Sequence, residues 1–419
     1  MPHLRPSVAE RTSFGASLRL LRTRRFGTFC FASLLSNLGT WAQQVAEPWL
    51  LLTLGASSFL IGLDSFATMV PVWVLSLIGG ILADRADRRR IIAVCQSIQM
   101  LCPTLLVVLL LIGAVRPWIV IACSVVVGIT DALSMPSFSS IVPSIVAHDE
   151  IGSALALNAT QFNLSRILGP ALAGVLMASL GVVGCFAANA LSYLPFIWVA
   201  LWILPHGSLS GAEADSRDSP RLFAGVREIA HAPHLRGALL TVLLTSTFCG
   251  PLIVFCPVLV KEALHGDVAD FSLAIGAFGI GGLLGAVVLL GVEAGRDRRP
   301  LSSGFAASYG LVIILAALDP WSWGLPLLLV LAGLSMSMSN TSANTLLQAT
   351  APATLRGQAV SLYMLAVRGG LSIGSLLTGL SAHLLGVRQA LLVNGLLAVA
   401  AQITIGYGWR RAPLPQSAS

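Results

Sequence analysis

Three carboxylates stand inside otherwise apolar stretches of this chain: Glu47, Asp64 and Asp131. Two arginines, Arg166 and Arg368, do the same. An ionised side chain at the bilayer centre costs roughly 2.5–3.5 kcal/mol even on a lenient insertion scale, so each must be neutralised, paired or reached by water. The chemistry on offer is proton carriage and charge pairing. Glu47 lies about two turns before the end of the first apolar run, and Asp64 about two turns after the start of the second. Facing each other across that hairpin, two like charges at close range suit a proton carrier; otherwise both reach water at the membrane face and carry nothing. Asp131 and Arg166 lie at comparable depths in the fourth and fifth runs, where pairing would relieve the burial cost of both. Such a pair is either a static rivet or one that opens when Asp131 takes a proton. Arg368 has no acidic partner in its own half. That leaves it to attract an anionic or catecholate-like solute, or to bind backbone carbonyls.

Uncharged polar groups add two stripes. Asn37, Trp41, Gln44 and Pro48 recur at i, i+4, i+7 and i+11, on one helical face. An indole and amide donors facing a water-filled cavity suit an aromatic or peptidic solute. Ser337, Asn340, Thr341, Asn344 and Gln348 form the second stripe. Interhelical hydrogen bonding is the competing reading for both.

The elements that must hold these residues follow from composition. Hydrophobic residues make up 56% of the chain and charged residues 10%. Soluble domains carry about 25% charged residues, so this chain belongs in a bilayer. Runs near the 20 residues a span needs fall at 27–54, 57–83, 91–113, 117–142, 154–180, 182–204, 237–262, 268–292, 301–318, 322–348, 358–384 and 387–409. The fold class expected is all-α integral membrane, with twelve transmembrane helices in two pseudo-symmetric six-helix bundles. Residues 27–204 and 237–409 form the bundles, joined by a cytoplasmic linker at 205–236. Residues 1–26 and 410–419 form cytoplasmic tails. With both termini inside, 20 of the 25 Lys and Arg residues fall on the cytoplasmic side and three outside, which sets the orientation. The net charge of +7 follows span ends and forms no continuous basic face, so no nucleic acid partner is expected. The seven cysteines all fall in apolar runs and read as small core residues, with neither disulfide nor metal spacing. No cofactor is implied.

Between the second and third runs stands Gly79-Gly80-Ile81-Leu82-Ala83-Asp84-Arg85-Ala86-Asp87-Arg88-Arg89-Arg90. This resembles the G-x-L-A-D-R-x-G-R-R signature of major facilitator superfamily transporters, with Asp87 where the pattern prefers Gly. The second half carries a decayed version, Gly291-Val-Glu293-Ala-Gly295-Arg296-Asp-Arg298-Arg299. Arg166-Ile-Leu-Gly169-Pro-Ala-Leu-Ala-Gly174 is likewise echoed by Arg368-Gly-Gly370-Leu-Ser-Ile-Gly374, about 200 residues later; parallel repeats with a site between them are one transporter architecture. Segments around Ser36–Ala46, Asn158–Pro170 and Leu347–Gly357 are similar to the subgroup of enterobactin-type siderophore and multidrug exporters. The resemblance implies a monomeric secondary transporter, not an enzyme, in the cytoplasmic (inner) membrane of a bacterium, exporting a siderophore or amphiphilic drug by proton antiport. A facilitator or importer, sodium coupling and a non-transporting receptor remain alternatives.

The resemblance also implies a cytoplasmic gate from Gly80, Asp84, Arg85, Arg88, Arg89 and Arg356. There Asp84 meets the positive N-terminus of span eleven in the outward-open state, and Arg356 adds a cation. Asp84→Asn is expected to lower turnover more than substrate affinity; unchanged turnover in proteoliposomes would refute this.

Overall fold

The computed structural model describes residues 19–147, 150–204, 232–291, 297–321, 323–352 and 355–411. The side chains of Gly80, Asp84, Arg85 and Arg356 lie outside what is described, as do 205–231, 292–296 and most of both predicted tails. Helical segments coincide with each of the twelve predicted runs. They are α1 (Phe26–Thr53), α2 (Ser58–Arg85), α3 (Arg88–Leu111), α4 (Pro117–Ser144), α8 (Val268–Leu290), α9 (Arg299–Leu318), α10 (Leu325–Thr350), α11 (Arg356–Leu385) and α12 (Val387–Arg411). The 52-residue stretch Ile151–Trp202 is broken by Gly181 at φ 66° and ψ −164° into α5 (151–180) and α6 (182–202). A left-handed φ is cheap only for glycine, so one residue serves as the whole turn. The seventh run, read as continuous, is segmented: Pro233–Phe248, Pro251–Val258 and a π-helical turn Leu259–Ala263 together form α7. Pro251 lacks the N–H that a continuous helix would require there.

Ten stretches among the described residues are long and apolar enough to cross a membrane. The broken stretch counts once among them, and α1 is not included, its apolar run being interrupted by Asn37, Gln43, Gln44 and Glu47. Large apolar side chains face outward along many helices, for example Leu111, Val175, Leu191 and Leu384. Exposed Trp118, Trp202, Trp321 and Trp323 sit at helix ends, where indoles favour the lipid–water boundary.

Packing repeats between the halves. α2 lies along α4 as α8 lies along α10; α3 lies along α6 as α9 lies along α12. The halves meet through α2 against α11 and α5 against α8. One large core spans both halves at the end carrying the α1–α2, α3–α4 and α7–α8 turns, and includes Leu51, Phe186, Phe255, Phe271 and Tyr309. There Trp49 stacks on Phe271 at 4.9 Å across the halves. At the opposite, arginine-rich end, the cores are separate. Phe26, Phe29, Ile92 and Phe196 belong to the first half, and Leu235, Leu347, Tyr363 and Trp409 to the second. Glycines of α8 line both of its neighbours, Gly281 lying against the backbone at Val330 of α10 and Gly279 against Ala171 of α5.

The Asp84–Arg90 segment differs from a free loop. α2 continues through Arg85 and α3 already begins at Arg88, so three arginines occupy a helix N-terminus, where cations are disfavoured. Asp87 offsets this: its side chain caps α3 by accepting from the Arg89 N–H at 3.2 Å, and it pairs with Arg89 (3.3 Å) and Arg90 (3.6 Å). Arg89 then donates to the Leu201 carbonyl at the end of α6, at 2.7 Å. The second half rebuilds this clamp. Asp297 accepts from the Arg299 N–H at 3.0 Å and pairs with its guanidinium at 3.0 Å; Arg299 donates to the Trp409 carbonyl of α12 at 3.1 Å. Asp87→Ala is expected to cost about 1 kcal/mol, the usual worth of a helix cap, read as a lower unfolding midpoint in detergent. A null effect for Asp87 would refute the cap's role.

Candidate functional site

The polar interior divides into three neighbourhoods. The first joins Glu47 and Asp64, and α4 brings them together. The Ser124 hydroxyl lies 3.0 Å from Glu47 Oε1 and 2.7 Å from Asp64 Oδ1, with the Val120 carbonyl 3.2 Å away. Both carboxyls are buried, at 8% and 6% exposure. A hydroxyl has a single proton to donate. Around Ser124 there are three acceptors, so the two carboxyls are best served when one of them brings its own proton to the serine oxygen. Direct pairing across the first hairpin is replaced by bridging through a third helix, because α1 and α2 touch little and α2 lies along α4.

The second neighbourhood crosses between the halves. Asp131 pairs with Arg368 of α11 at 3.2 Å, both side chains being about one-third exposed (28% and 30%). The expected Asp131–Arg166 pair does not form. α5 packs against α1 and α8 and scarcely touches α4, so Arg166 lies on the wrong neighbours for Asp131. The acid that Arg368 lacked in its own half is supplied by the other one. On the far side, Gln99 Nε2 donates to Asp131 Oδ1 at 2.8 Å, Gln96 donates to Gln99 at 3.1 Å, and Ser36 donates to Gln96 at 3.3 Å. A single hydrogen-bonded line thus runs from α1 through α3 and α4 to α11. The Arg368 guanidinium also sits over the Phe162 ring, 5.7 Å from its centre, and Phe162 meets Trp41 edge-on at 6.2 Å. Cation–π contacts of this kind supplement the ion pair. Ser36, Gln96, Gln99 and Ser124 were missed as site residues. For Gln96 and Gln99 the signal was available: an amide pair spaced i, i+3 inside an apolar run.

The third neighbourhood holds the stripes. Asn37 donates to Gln161 at 3.4 Å, and Gln161 to Ser33 at 3.1 Å, lacing α1 to α5. Trp41 is half-buried, Gln44 is exposed and Pro48 is buried, so the face is not uniform. On α10, Asn344 accepts from Gln348 at 3.1 Å, while the buried Asn340 side-chain oxygen has no partner among the described residues. Of the gate residues, Arg88 is buried and Arg89 forms the α6 clamp. Gly80, Asp84, Arg85 and Arg356 lie outside the described side chains. Arg166 is buried at 6% exposure, and its Nε has no hydrogen-bond partner among the described residues.

A helical bundle with a charge pair at mid-depth, an outward-facing apolar surface and twofold internal repetition matches the fold of known transporters. The fold superposes on a nucleoside transporter, NupG, with a TM-score of 0.69 at 12% identity, covering 93% of this chain and all of that one. It superposes equally on a bacterial homologue of the human lysosomal transporter Spinster in an inward-facing, occupied conformation (TM-score 0.69, 16% identity, 93% and 97% covered). In sequence, the chain is 24% identical to the staphyloferrin A transporter of Staphylococcus aureus, over 88% of this chain and 93% of that one. It is 27% identical to the multidrug efflux pump Tap of Mycolicibacterium fortuitum, with the same coverage, and 26% identical to the enterobactin exporter EntS of Citrobacter koseri, over 91% of each. Residues 16–417 match the family described as transmembrane secretion effector, and the chain belongs to that family of major facilitator transporters.

Proposed function

We propose that this protein is a proton-coupled exporter of the bacterial inner membrane, moving a siderophore or an amphiphilic, drug-like solute outward. All twelve helical segments cross the bilayer in this reading, with both termini and the arginine-rich end in the cytoplasm, as the positive-inside rule favours. The protein works as a monomer. The shared core at the turn end and the separate cores at the arginine end correspond to an inward-facing arrangement. The observation that carries proton coupling is the pair of buried carboxyls on one serine hydroxyl. The pair holds one proton while the cargo enters, and releases it when the halves rock and water reaches Ser124 from the other side. The drug-efflux and enterobactin-export relatives support the direction of transport.

Asp131 and Arg368 act as the latch between halves. Their contact joins α4 to α11 at mid-depth, where separating the halves must break it. The latch holds the halves until cargo or a proton competes for one partner. Substrate-cavity roles for Asn37, Trp41, Gln44, Asn340 and Asn344 belong to the same reading.

Two experiments test it in proteoliposomes with ethidium as the transported probe. Glu47→Gln with Asp64→Asn is expected to reduce flux driven by an imposed pH gradient about tenfold or more, a change of at least 1.4 kcal/mol in coupling. Ethidium counterflow without a gradient should persist. Gradient-driven flux at the wild-type level would place proton carriage elsewhere, and gradient-driven uptake in the opposite sense would make the protein an importer. For the latch, Asp131→Arg and Arg368→Asp should each lower flux by about tenfold, and the double exchange should recover most of the loss, since coupled charges are non-additive. Additive losses would exclude a direct functional pair.

A further inference from the structure

Arg166 is left over. Of the three acids within the spans, Asp131 is taken by Gln99 and Arg368, and Glu47 and Asp64 share Ser124. Among the described residues no counter-ion reaches Arg166, although it is buried at 6% exposure and its Nε is sealed off without a hydrogen-bond partner. A guanidinium is a permanent cation with five donors in a planar fork, shaped for a carboxylate. Buried charges of this kind ordinarily find a partner. Here the described residues provide none.

The surroundings narrow the chemistry of the missing partner. Phe162, Arg166 and Gly169 recur at i, i+4 and i+7, on one face of α5. Phe162 meets the Trp41 indole edge-on at 6.2 Å, and Gly169, two turns along, abuts the Trp41 side chain at its Cβ. The absence of a side chain at Gly169 is what lets Trp41 approach there. Trp41 of α1 therefore flanks the two turns of α5 in whose middle Arg166 stands. One unpaired cation and two aromatic rings, at mid-depth beside the seam between the halves, meet both parts of a flat organic acid. The rings accept its aromatic body by offset or edge contacts, and the guanidinium accepts its carboxylate.

We propose that Arg166, Trp41 and Phe162 form a recognition site for an aromatic carboxylate, and that the cargo carries such a group. Only the word cargo rests on the export reading. The site differs from the Arg368 anion site expected from the sequence, because Arg368 is already neutralised by Asp131.

The test is calorimetric binding to the purified, full-length protein in gluconate buffer with three probes of one shape: 2-naphthoate, neutral 2-naphthalenemethanol and cationic 2-naphthylmethylammonium. In the wild type, naphthoate should bind about tenfold or more tightly than the alcohol, a charge-assisted contact's usual worth, and the cation most weakly. Arg166→Gln should erase the preference for the anion, and Arg166→Lys should retain part of it. Trp41→Ala should weaken all three probes together and keep the preference, which gives a readout if Arg166→Gln fails to purify as a monodisperse protein. Equal binding of naphthoate and alcohol by the wild type overturns the proposal. So does a preference that survives Arg166→Gln and disappears in Arg368→Gln. Complete displacement of naphthoate by physiological chloride would assign the site to a free inorganic anion and also overturn it. Binding needs no gradient, so failed ethidium flux with the preference intact would sink the export reading alone.

Discussion

A charge inside a bilayer needs a partner, and the organisation of this protein follows from how few partners there are. Three acids and two arginines lie deep in the spans. One acid reaches across the halves to Arg368, two crowd a single hydroxyl, and one arginine has no counter-ion among the described residues. The backbone imposes no comparable choice, since every amide in a span bonds within its own helix. Side-chain charge is therefore where the sequence departs from a featureless apolar bundle. One such departure, Asp131 with Arg368, sits where the halves meet.

The two halves are joined unequally. At the turn end they share one apolar core and an aromatic stack, Trp49 on Phe271. At the arginine-rich end each keeps its own core. Between these levels the contacts are glycine-lined, with α8 held close to α5 on one side and α10 on the other. A seam of small residues allows close backbone approach without interlocking side chains. The Asp131–Arg368 pair joins α4 to α11, beside the other seam of α2 against α11, and supplies a specific, breakable contact between the halves.

Much of the architecture was legible in residue order. Each apolar run has its helix, and the 210-residue spacing of Asp87 and Asp297 marks the same repeat that the two arginine segments disclosed. Boundaries were less legible: α3 starts three residues before its apolar run because Asp87 supplies a cap that hydropathy does not register. The charge partners were the hardest part. Asp131 and Arg166 lie at like depth in consecutive spans, but consecutive helices here are often not neighbours in space, and α5 turns away from α4 to pack on α1 and α8. Depth along a helix can be counted from sequence; azimuth and the neighbour it faces depend on the assembled bundle. The same limit explains Ser124, an ordinary small residue in sequence that becomes a bridge only once three helices converge.

The twin clamps decide which parts of the molecule hold together as units. Arg89 closes α3 onto the last helix of its own half, and Arg299 closes α9 onto the last helix of the other. Both contacts stay within their own half. Each set of six helices is thus tied off by its own knot. What joins two bundles closed in this way is the seam between them, α2 against α11 and α5 against α8, with an ion pair bridging it.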